Sequence, residues 1–271
     1  MTANITFIGA GNMANSIIGG LVAEGYEPKA ITASDPNEAT LAALSEKFGI
    51  LTEADNTQAC LHAEVLVLAV KPQVLKSVAL ALKAAIKPHT LIISIAAGIN
   101  SSSLEQWFGG SAAIVRCMPN TPALVGQGAT GLYANEQVSP AQKQQAESLL
   151  NAIGISIWLD SEDLIDSVTA VSGSGPAYFF LFMEAMIEAG IKQGLSAEQA
   201  QQLTLQTAAG AATLAQQSDV GVAELRRRVT SPGGTTEQAI LSFKQAGFNQ
   251  AVDDAMVACA KHSKAMALEF T

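Results

Sequence analysis

Short apolar runs alternate with longer amphipathic segments through the first part of the chain. The apolar runs are rich in β-branched residues and lie at Ile5–Gly9, Ala30–Ser34, Val65–Val70, Leu91–Ile95 and Ala113–Met118. Strands that alternate with helical segments predict βαβ units and a parallel sheet. The third run is apolar at every position, which is typical of a central strand covered by helices on both faces.

Residues that favour helix ends mark the segments between these runs. Asp35-Pro36 precedes an amphipathic segment, Asn37–Phe48, and Gly49 follows that segment. Ser139-Pro140 begins another segment, which we expect to end at Gly154. A capping residue and proline at the start, with glycine at the end, predict a helix in each place.

Residues after Asp160 have a different composition, dominated by Ala, Gln, Met and Glu, and the pattern predicts helices only. We therefore predict an α/β protein with a doubly wound parallel sheet in residues 1–160 and an all-helical domain in residues 161–271. Tyr178–Gly190 is apolar on nearly every side, with Glu184 and Glu188 as its only charges. Such a helix needs burial, and we expect a partner subunit to provide it.

Composition and charge exclude several classes of protein. Hydrophobic residues make up 49% of the 271 residues, which is enough for a large core and a subunit interface. The net charge of −9 repels nucleic acid and anionic membrane surfaces, so neither is an expected partner. Three scattered cysteines, Cys60, Cys117 and Cys259, predict neither disulfides nor a metal site and favour a reducing cytoplasm. Met1–Phe7 does not have an export pattern, and no apolar run reaches the roughly 18 residues of a membrane span.

A glycine-rich turn follows the first predicted strand. Gly9 permits a tight turn, Gly11 lets the backbone approach a pyrophosphate, and Ala14 still allows close packing of the next helix. That helix, from about Asn15 to Glu24, begins with N–H groups that face two phosphates. The strand, turn and helix together predict a dinucleotide-binding domain of the Rossmann type.

The second predicted strand ends at Ser34 and Asp35, where the adenine ribose lies in such domains. A carboxylate at Asp35 favours the free 2′-hydroxyl of NAD and repels the 2′-phosphate of NADP. Asp35 also precedes Pro36, and a capping role would instead leave Ser34 and Asn37 as phosphate donors. Both interpretations stay open, and the cofactor is NADP(H) or NAD(H).

The scarcity of general bases points to an imine as the hydride acceptor. Oxidation of an alcohol needs a base, and His62, His89 and His262 lie in helical or loop segments without a nearby carboxylate that would suggest catalysis. Lys71, at the end of the central strand, is placed to touch the cofactor. A protonated imine accepts hydride without an enzymic base.

A second glycine-rich segment, residues 229–237, precedes a helix that we expect to begin near Gln238. Gly233 and Gly234 permit a loop with converging N–H groups, and three hydroxyl side chains lie beside them: Ser231, Thr235 and Thr236. Such a loop suits a small carboxylate. The alternative is a capping box in which the glycines serve only the turn.

Several motifs together resemble one family, the bacterial type of pyrroline-5-carboxylate reductase, from about residue 5 to about residue 265. These motifs are Phe7–Ala14, Ala69–Pro72, Ser94–Gly98, Arg116–Pro122, Val171–Tyr178 and Ser231–Thr236. The resemblance implies reduction of 1-pyrroline-5-carboxylate to L-proline with NADPH or NADH, the last step of proline biosynthesis. It also implies a helical C-terminal domain that interlocks two subunits as a homodimer, with dimers that assemble into a decamer.

The resemblance also assigns roles to individual residues. The substrate is expected at Ser231, Gly233, Gly234, Thr235 and Thr236, with Thr236 as the donor to the ring nitrogen and Ser174 as its assistant. Together with the glycine-rich turn, the resemblance predicts these cofactor contacts: Gly9, Ala10, Gly11, Asn12, Met13, Ser34, Asp35, Asn56, Ala69, Val70, Lys71, Pro72, Ala96, Ala97, Gly98 and Asn120.

One departure from the family pattern and two alternative functions accompany this interpretation. Asp35 stands where members of the family that favour NADPH often have serine or basic donors. The arginine triplet Arg226–Arg228 is either a solvated helix face or a cluster that attracts the two anionic ligands, with Arg228 as a candidate contact. A hydroxyacid dehydrogenase would need a catalytic lysine between Thr169 and Ile191, where the sequence has none. A non-catalytic dinucleotide-binding protein would not need the polar loop at 231–236.

Overall fold

The computed structural model describes residues 3–269, and the chain divides into two compact units. The first unit comprises the chain up to Ser174 together with the segment from Ala258 onward, and the second comprises Gly175–Val257. The domain boundary after residue 160 stays a prediction. The first unit extends beyond it because the short helix Leu164–Val168 packs against the sheet. Residues 1, 2, 270 and 271, which the predicted domains include, lie outside the described residues.

The first unit is built on one sheet. In the described part of the chain its eight strands are β1 (Ile5–Ile8), β2 (Ile31–Ser34), β3 (Leu51–Glu53), β4 (Val65–Leu68), β5 (Leu91–Ser94), β6 (Ala113–Met118), β7 (Gly128–Ala134) and β8 (Gly154–Trp158). The spatial order is β3-β2-β1-β4-β5-β6-β7-β8, and all neighbours are parallel except β6 and β7. The chain winds outward from β1 in both directions, which confirms the predicted doubly wound, Rossmann-type sheet.

Helices connect the strands and make up the second unit. The helices are α1 (Asn12–Ala23), α2 (Glu38–Phe48), α3 (Asn56–Cys60), α4 (Pro72–Leu82), α5 (Ser101–Phe108), α6 (Pro140–Asn151), α7 (Leu164–Val168), α8 (Gly175–Lys192), α9 (Ala197–Gln217), α10 (Val222–Arg228), α11 (Thr235–Gln245) and α12 (Phe248–Glu269). Single-turn 3₁₀ segments lie at Pro28–Ala30 and Thr121–Val125, and a π-helix lies at Thr169–Gly173. The prediction of helices only after residue 160 is confirmed for the described residues.

Alternate residues of the central strands face opposite sides of the sheet. Phe7 and Val67 belong to the cluster that contains the α1 side chains, whereas Leu66 and Leu68 belong to the cluster that contains those of α4. Every residue of β4 is fully buried, because helices cover both faces. This explains why the strand is apolar at each position rather than at every second one.

The hydrophobic pattern predicts five strands correctly and misses β3, β7 and β8. β3 has only three residues, and β7 contains Gly128 and Gly131, a residue type that is depleted in strands. Ile155 and Ile157 of β8 are exposed at this edge of the sheet, so apolar side chains alternate there without a buried face. The prediction that Gly154 ends α6 is wrong, because the helix ends at Asn151 and Gly154 begins β8. Glycine is required there by the close pairing with β7, since a Cβ would lie 2.0 Å from the Gly128 carbonyl oxygen.

Gly49 and Ser139 cap helices as predicted, whereas Asn37 caps α2 in place of the predicted Asp35. Asn37 caps α2 by accepting hydrogen bonds from two backbone N–H groups, and left-handed Gly49 ends that helix. Ser139 and Gln142 form a reciprocal capping box at the start of α6. These local signals fix where the helices begin and therefore where the preceding strands end.

Helix α8 in the second unit confirms the predicted helix over Tyr178–Gly190 but exposes much of its apolar surface on the single chain. Phe179, Phe180 and Leu181 are 67%, 63% and 66% exposed. Phe182, on the same helix, packs against Phe243 of α11 and Phe248 of α12. The unit therefore has a partly exposed cluster of three aromatic rings and a second apolar face that no part of the described chain covers.

Candidate active site

The predicted cofactor residues of the first unit lie along one edge of the sheet, where the parallel strands end. They follow β1, β2, β3, β4, β5 and β6, in that order along the chain: Gly9–Met13, Ser34–Asp35, Asn56, Ala69–Pro72, Ala96–Gly98 and Asn120. The direction of winding changes between β1 and β4, and ligands of open α/β sheets bind in the crevice beside such a point. The site residues themselves stay predictions, but the fold brings them to one edge.

The glycine-rich turn after β1 is shaped by two different requirements. Gly9 has a φ of +98°, and a Cβ there would lie 2.7 Å from the Ala69 carbonyl oxygen, so only glycine fits between the ends of β1 and β4. A Cβ built on Gly11 would have no protein atom within 4 Å. The protein's own packing therefore does not require the second glycine, whereas a ligand close to the backbone would.

The N-terminus of α1 is open to an anion. Gly11 precedes the helix without a side-chain hydrogen bond to its first N–H groups, and the first turn contains no acidic residue. Asn12 is exposed, and Met13 is half-buried. Unpaired N–H groups at the start of a long helix, next to a position with free space, suit a pyrophosphate.

Asp35 joins the end of β2 to the glycine-rich turn. One carboxylate oxygen accepts a hydrogen bond from Ala10 N at 2.9 Å, and the other accepts one from Asn37 N at 2.9 Å. Asn37, not Asp35, caps α2. The capping alternative is therefore wrong in its simple form, because Asp35 forms a turn before the helix and also binds the loop that surrounds the predicted pyrophosphate site.

The Ser34 side chain is not placed to act as the phosphate donor that one alternative predicted. Its side chain is fully buried, and its hydroxyl donates a hydrogen bond to Asn56 Oδ1 at 2.7 Å. Asn56 is the first residue of α3, which Asp55 caps. The pair fixes the end of β2 to the start of α3, so the Ser34 hydroxyl is not available as a phosphate donor while this bond is formed.

The strand ends beyond β1 place a cation and small residues beside the turn. Lys71 is exposed and precedes α4, which begins at Pro72 without a side-chain cap. After β5, Ala96 N donates to Ser94 Oγ at 3.4 Å and Gly98 adopts a φ of +73°.

Asn120 and Ser174 lie in the same unit, after β6 and after the π-helix. Asn120 Oδ1 accepts a hydrogen bond from Ala129 N at 2.9 Å, and its Nδ2 donates to the Ser172 carbonyl oxygen at 3.0 Å. Ser174 N donates to the Thr169 carbonyl oxygen at 2.8 Å, and Ser174 Oγ accepts from the Cys259 thiol at 3.3 Å. The Asn120 side chain is thus bound to backbone groups on both sides.

In the second unit, the predicted substrate loop precedes α11. Gly233 has a φ of +73°, and its N–H donates to the Glu237 carboxylate at 2.7 Å. Thr235 and Thr236 are the first two residues of the helix, both are exposed, and no hydrogen bond of either hydroxyl is found within residues 3–269. The reciprocal capping box of the alternative does not form, because Gly234 caps the helix without a side-chain acceptor.

The arginine triplet ends α10, immediately before this loop. Arg227 and Arg228 both donate to the Glu224 carboxylate, at 2.7 and 3.0 Å, and all three arginines are exposed. The two guanidinium groups hold the pKa of Glu224 below its ordinary value. Two of the three charges are therefore paired within the helix, as on a solvated face.

The sequence indicates only one member of an ion pair that involves the sheet. Arg116 is nearly buried in β6, where Nη1 lies 3.1 Å from Glu162 Oε1. The same carboxylate accepts hydrogen bonds from the N–H and hydroxyl of Ser101 at the start of α5. A charged residue in an apolar strand indicates a buried partner. No local pattern identifies the partner, which comes from the loop after β8.

Between residues 3 and 269, no three His, Cys, Asp or Glu side chains lie close enough together to hold a metal ion. None of the helices in this range combines the length and apolar character needed to cross a membrane.

Known proteins resemble this chain along nearly its whole length. Residues 162–266 match the family model of pyrroline-5-carboxylate reductase dimerisation, and residues 4–98 match that of NADP oxidoreductase, coenzyme F420-dependent. The pyrroline-5-carboxylate reductase of Pseudomonas aeruginosa is 58% identical over 266 residues, covering 98% of this chain and 97% of the relative.

Solved structures give the same result. The structure of a pyrroline-5-carboxylate reductase from Coxiella burnetii matches with a TM-score of 0.95 and 46% identity, covering 98% of this chain and 99% of that chain. The crystal structure of Plasmodium falciparum pyrroline carboxylate reductase with NADP bound matches with a TM-score of 0.86 and 32% identity, covering 98% of both chains.

Proposed function

The chain belongs to the pyrroline-5-carboxylate reductase family, and we propose that it reduces 1-pyrroline-5-carboxylate to L-proline with NADPH or NADH. The observation that carries this proposal is the 58% identity over 98% of the chain. The turn at Gly11 supports the proposal independently. It lies where the winding direction of the sheet changes, and the free space beside Gly11 suits a pyrophosphate.

The cofactor would be held at the sheet edge described above. The N–H groups at the start of α1 would bind the pyrophosphate, with Gly9–Met13 as the turn, and the ribose would lie near Asp35. The remaining proposed contacts are Asn56, Ala69, Val70, Lys71, Pro72, Ala96, Ala97 and Gly98, together with the backbone of Ser34 and Asn120, whose side chains are bound within the protein. When bound, the nicotinamide supplies the hydride. Lys71 offers a positive charge to the anionic cofactor.

The substrate carboxylate would be bound by the loop before α11, through Ser231, Gly233, Gly234, Thr235 and Thr236. The exposed hydroxyls of Thr235 and Thr236 support this assignment, because neither makes a hydrogen bond within the described residues. The Gly233 N–H is held by the Glu237 carboxylate and would join them only after that bond opens. Hydride adds to the carbon of the C=N bond, and its nitrogen takes one proton to become the secondary amine. We assign that proton's delivery to the Thr236 hydroxyl, directly or through water, with Ser174 in support.

Two subunits are proposed to interlock through the helical domain, residues 161–271, with residues 1–160 as the cofactor domain. The match to the family's dimerisation model at 162–266 supports a homo-oligomer, and the exposed apolar face of α8 provides surface for a partner. Assembly of dimers into a decamer and a cytoplasmic location belong to the same proposal.

The activity is tested by mixing the purified protein with pyrroline-5-carboxylate and NADPH or NADH and following the absorbance of the reduced cofactor. Turnover supports the proposal. Oxidation of a hydroxyacid with no turnover of the imine would favour the dehydrogenase alternative. Dinucleotide binding without turnover of either substrate would favour a non-catalytic binding protein.

Gly11→Val provides a matched variant for the cofactor site. Its side chain enters space where no protein atom lies within 4 Å of the Cβ, so we expect wild-type thermal stability. The same side chain would occupy the space assigned to the pyrophosphate, so dinucleotide affinity should fall by at least about tenfold. Normal affinity in a folded Gly11→Val protein would rule out this location.

Assembly is tested with Phe180→Glu, which places a charge on the exposed apolar face of α8. Sedimentation velocity should show smaller particles than the wild type, because burial of an unpaired carboxylate opposes association. Ala141→Glu adds the same charge at an exposed position of α6 and should leave the particle size unchanged. Equal sizes for all three proteins would contradict the proposed interface.

A further inference from the structure

The segment between α7 and α8 contains a wide turn that a regular helix would not need. In the π-helix Thr169–Gly173, Ser174 N donates to the carbonyl oxygen five residues earlier, that of Thr169. Single-turn π-helices are rare and often lie at functional sites. Here the wide turn immediately precedes Ser174, the residue proposed to support proton transfer.

The sequence explains why one carbonyl in this turn lacks a helical partner. In a regular helix, the Ser172 carbonyl would accept a hydrogen bond from the N–H four residues later. That residue is Pro176, which has no N–H and whose ring clashes with the carbonyl four residues before it. The Gly175-Pro176 step therefore leaves Ser172 O without a backbone donor at that position and favours a locally widened helix.

Asn120 supplies the missing donor. Its Nδ2 donates to Ser172 O at 3.0 Å, across 52 residues of sequence. The orientation of the amide is fixed chemically, because Ala129 N is a donor and can face only Oδ1, at 2.9 Å. Asn120 is 8% exposed, so water has little access to replace it. One side chain thus ties the start of β7 to the wide turn.

The turn also lies close against the sheet. A Cβ on Gly173 would be 2.7 Å from Met118 Cε, and a Cβ on Gly131 would be 2.8 Å from the Val168 side chain. Glycine is needed at position 131, where the short Val168 side chain cannot move away, whereas the Met118 methyl group could make room beside position 173. Steric contact sets the distance between the turn and the strands, and the Asn120 hydrogen bond sets the position of the carbonyl two residues before Ser174.

We infer that Asn120 is a positioning residue that places the Ser174 hydroxyl for catalysis by holding the Ser172 carbonyl that Pro176 cannot bind. This inference rests on the proposed reductase activity. Ser174 Oγ accepts the Cys259 thiol hydrogen, so its own proton remains available for donation elsewhere. Asn120 acts on the reaction through Ser174, because its side chain is bound to Ser172 O and Ala129 N.

A double-mutant cycle with Asn120→Asp and Ser174→Ala tests the inference. Aspartate keeps an acceptor for Ala129 N and loses the donor to Ser172 O. We expect kcat to fall about tenfold in the wild-type background, as for a lost buried hydrogen bond, with KM for the dinucleotide unchanged. In the Ser174→Ala background the same change should have little further effect on kcat. Ser172→Ala, which keeps the carbonyl, is the matched control and should retain wild-type kcat.

Three outcomes overturn the inference: losses in kcat that multiply in the double variant, an Asn120→Asp protein with normal kcat, or a Ser174→Ala protein with normal kcat. Losses in kcat that multiply in the double variant are expected if Asn120 has a purely structural role that is independent of Ser174. If Asn120→Asp does not fold, Asn120→Ser, which buries no carboxylate, takes its place in the same cycle. A wild-type protein without turnover refutes the proposed function as well, whereas an active wild type with multiplying losses refutes this inference alone.

Discussion

Replacement of Asp35 by serine should shift the cofactor preference toward NADPH. The half-buried carboxylate accepts hydrogen bonds from Ala10 N and Asn37 N, at the strand end where the ribose of a bound dinucleotide lies. A 2′-phosphate placed there meets a like charge, and it finds both backbone donors already occupied. Serine removes the charge and, being shorter, releases at least one donor.

The size of the shift follows from Coulomb's law. Two unit charges about 5 Å apart repel by about 0.8 kcal/mol in water and by about 3 kcal/mol at an effective dielectric constant of 20. A half-buried site lies between these limits, so we expect about 1–3 kcal/mol. The ratio of kcat/KM for NADPH to kcat/KM for NADH should therefore rise by about tenfold to hundredfold in Asp35→Ser.

The assay compares both cofactors on the same variant, so that any change in stability cancels. Asp35→Asn is the matched control, because it removes the charge and keeps an acceptor near Ala10 N. This variant should show most of the change in cofactor preference that is due to the charge. High salt should narrow the difference between the cofactors in the wild type, because it screens the repulsion. An unchanged ratio in both variants would show that Asp35 serves only to hold the turn.

Three further results are expected. Thr236→Ala should lower kcat by about hundredfold with unchanged dinucleotide affinity, because a proton donor is lost. Thr236→Ser should retain most of the activity. Equal kcat for the wild type and both variants would show that Thr236 is not the proton donor. Burial raises the pKa of Cys60 to about 12, so its thiol stays protonated in the folded state while the unfolded chain ionises near pH 9. The free energy of unfolding should then fall above that pH, and Cys60→Ala should reduce this slope by about 1.4 kcal/mol per pH unit; equal slopes would contradict the linkage. Glu162→Gln should lower the free energy of unfolding by about 3 kcal/mol in urea, because Arg116 stays buried without its partner, whereas Glu224→Gln on the surface should change it little. Equal decreases in the free energy of unfolding for the two variants would show that burial of the ion pair does not determine its effect on stability.

The parts of the fold that the sequence predicts well are those with local signals. β4 is apolar throughout because both of its faces are covered, and α2 has a cap at Asn37 and a glycine at its end. Each signal involves neighbours within one turn or one strand. β8 has no such signal, because its isoleucines are exposed at the sheet edge.

The candidate site is predictable to the same extent. Gly9 and Gly11 form a motif that is visible in sequence, and the structure shows that only the first is required by packing. Asp35 was predicted as either a ribose contact or a helix cap. The structure gives the cap to Asn37 and binds Asp35 to Ala10 N, and the ribose contact stays a prediction. Ser34 looked like a phosphate donor, and burial turns its hydroxyl to Asn56.

The sequence by itself determined the alternation of strands and helices, the glycine-rich turn and the polar loop before α11, because these depend on the periodicity and conformational limits of neighbouring residues. Only the tertiary structure decided which distant groups meet: Arg116 with Glu162 across 46 residues, and Asn120 with Ser172 across 52. Such pairs form because a buried charge or carbonyl must find a partner wherever the packed elements bring one within reach. That choice depends on the whole arrangement of the sheet and its connections, which no short segment of the chain encodes.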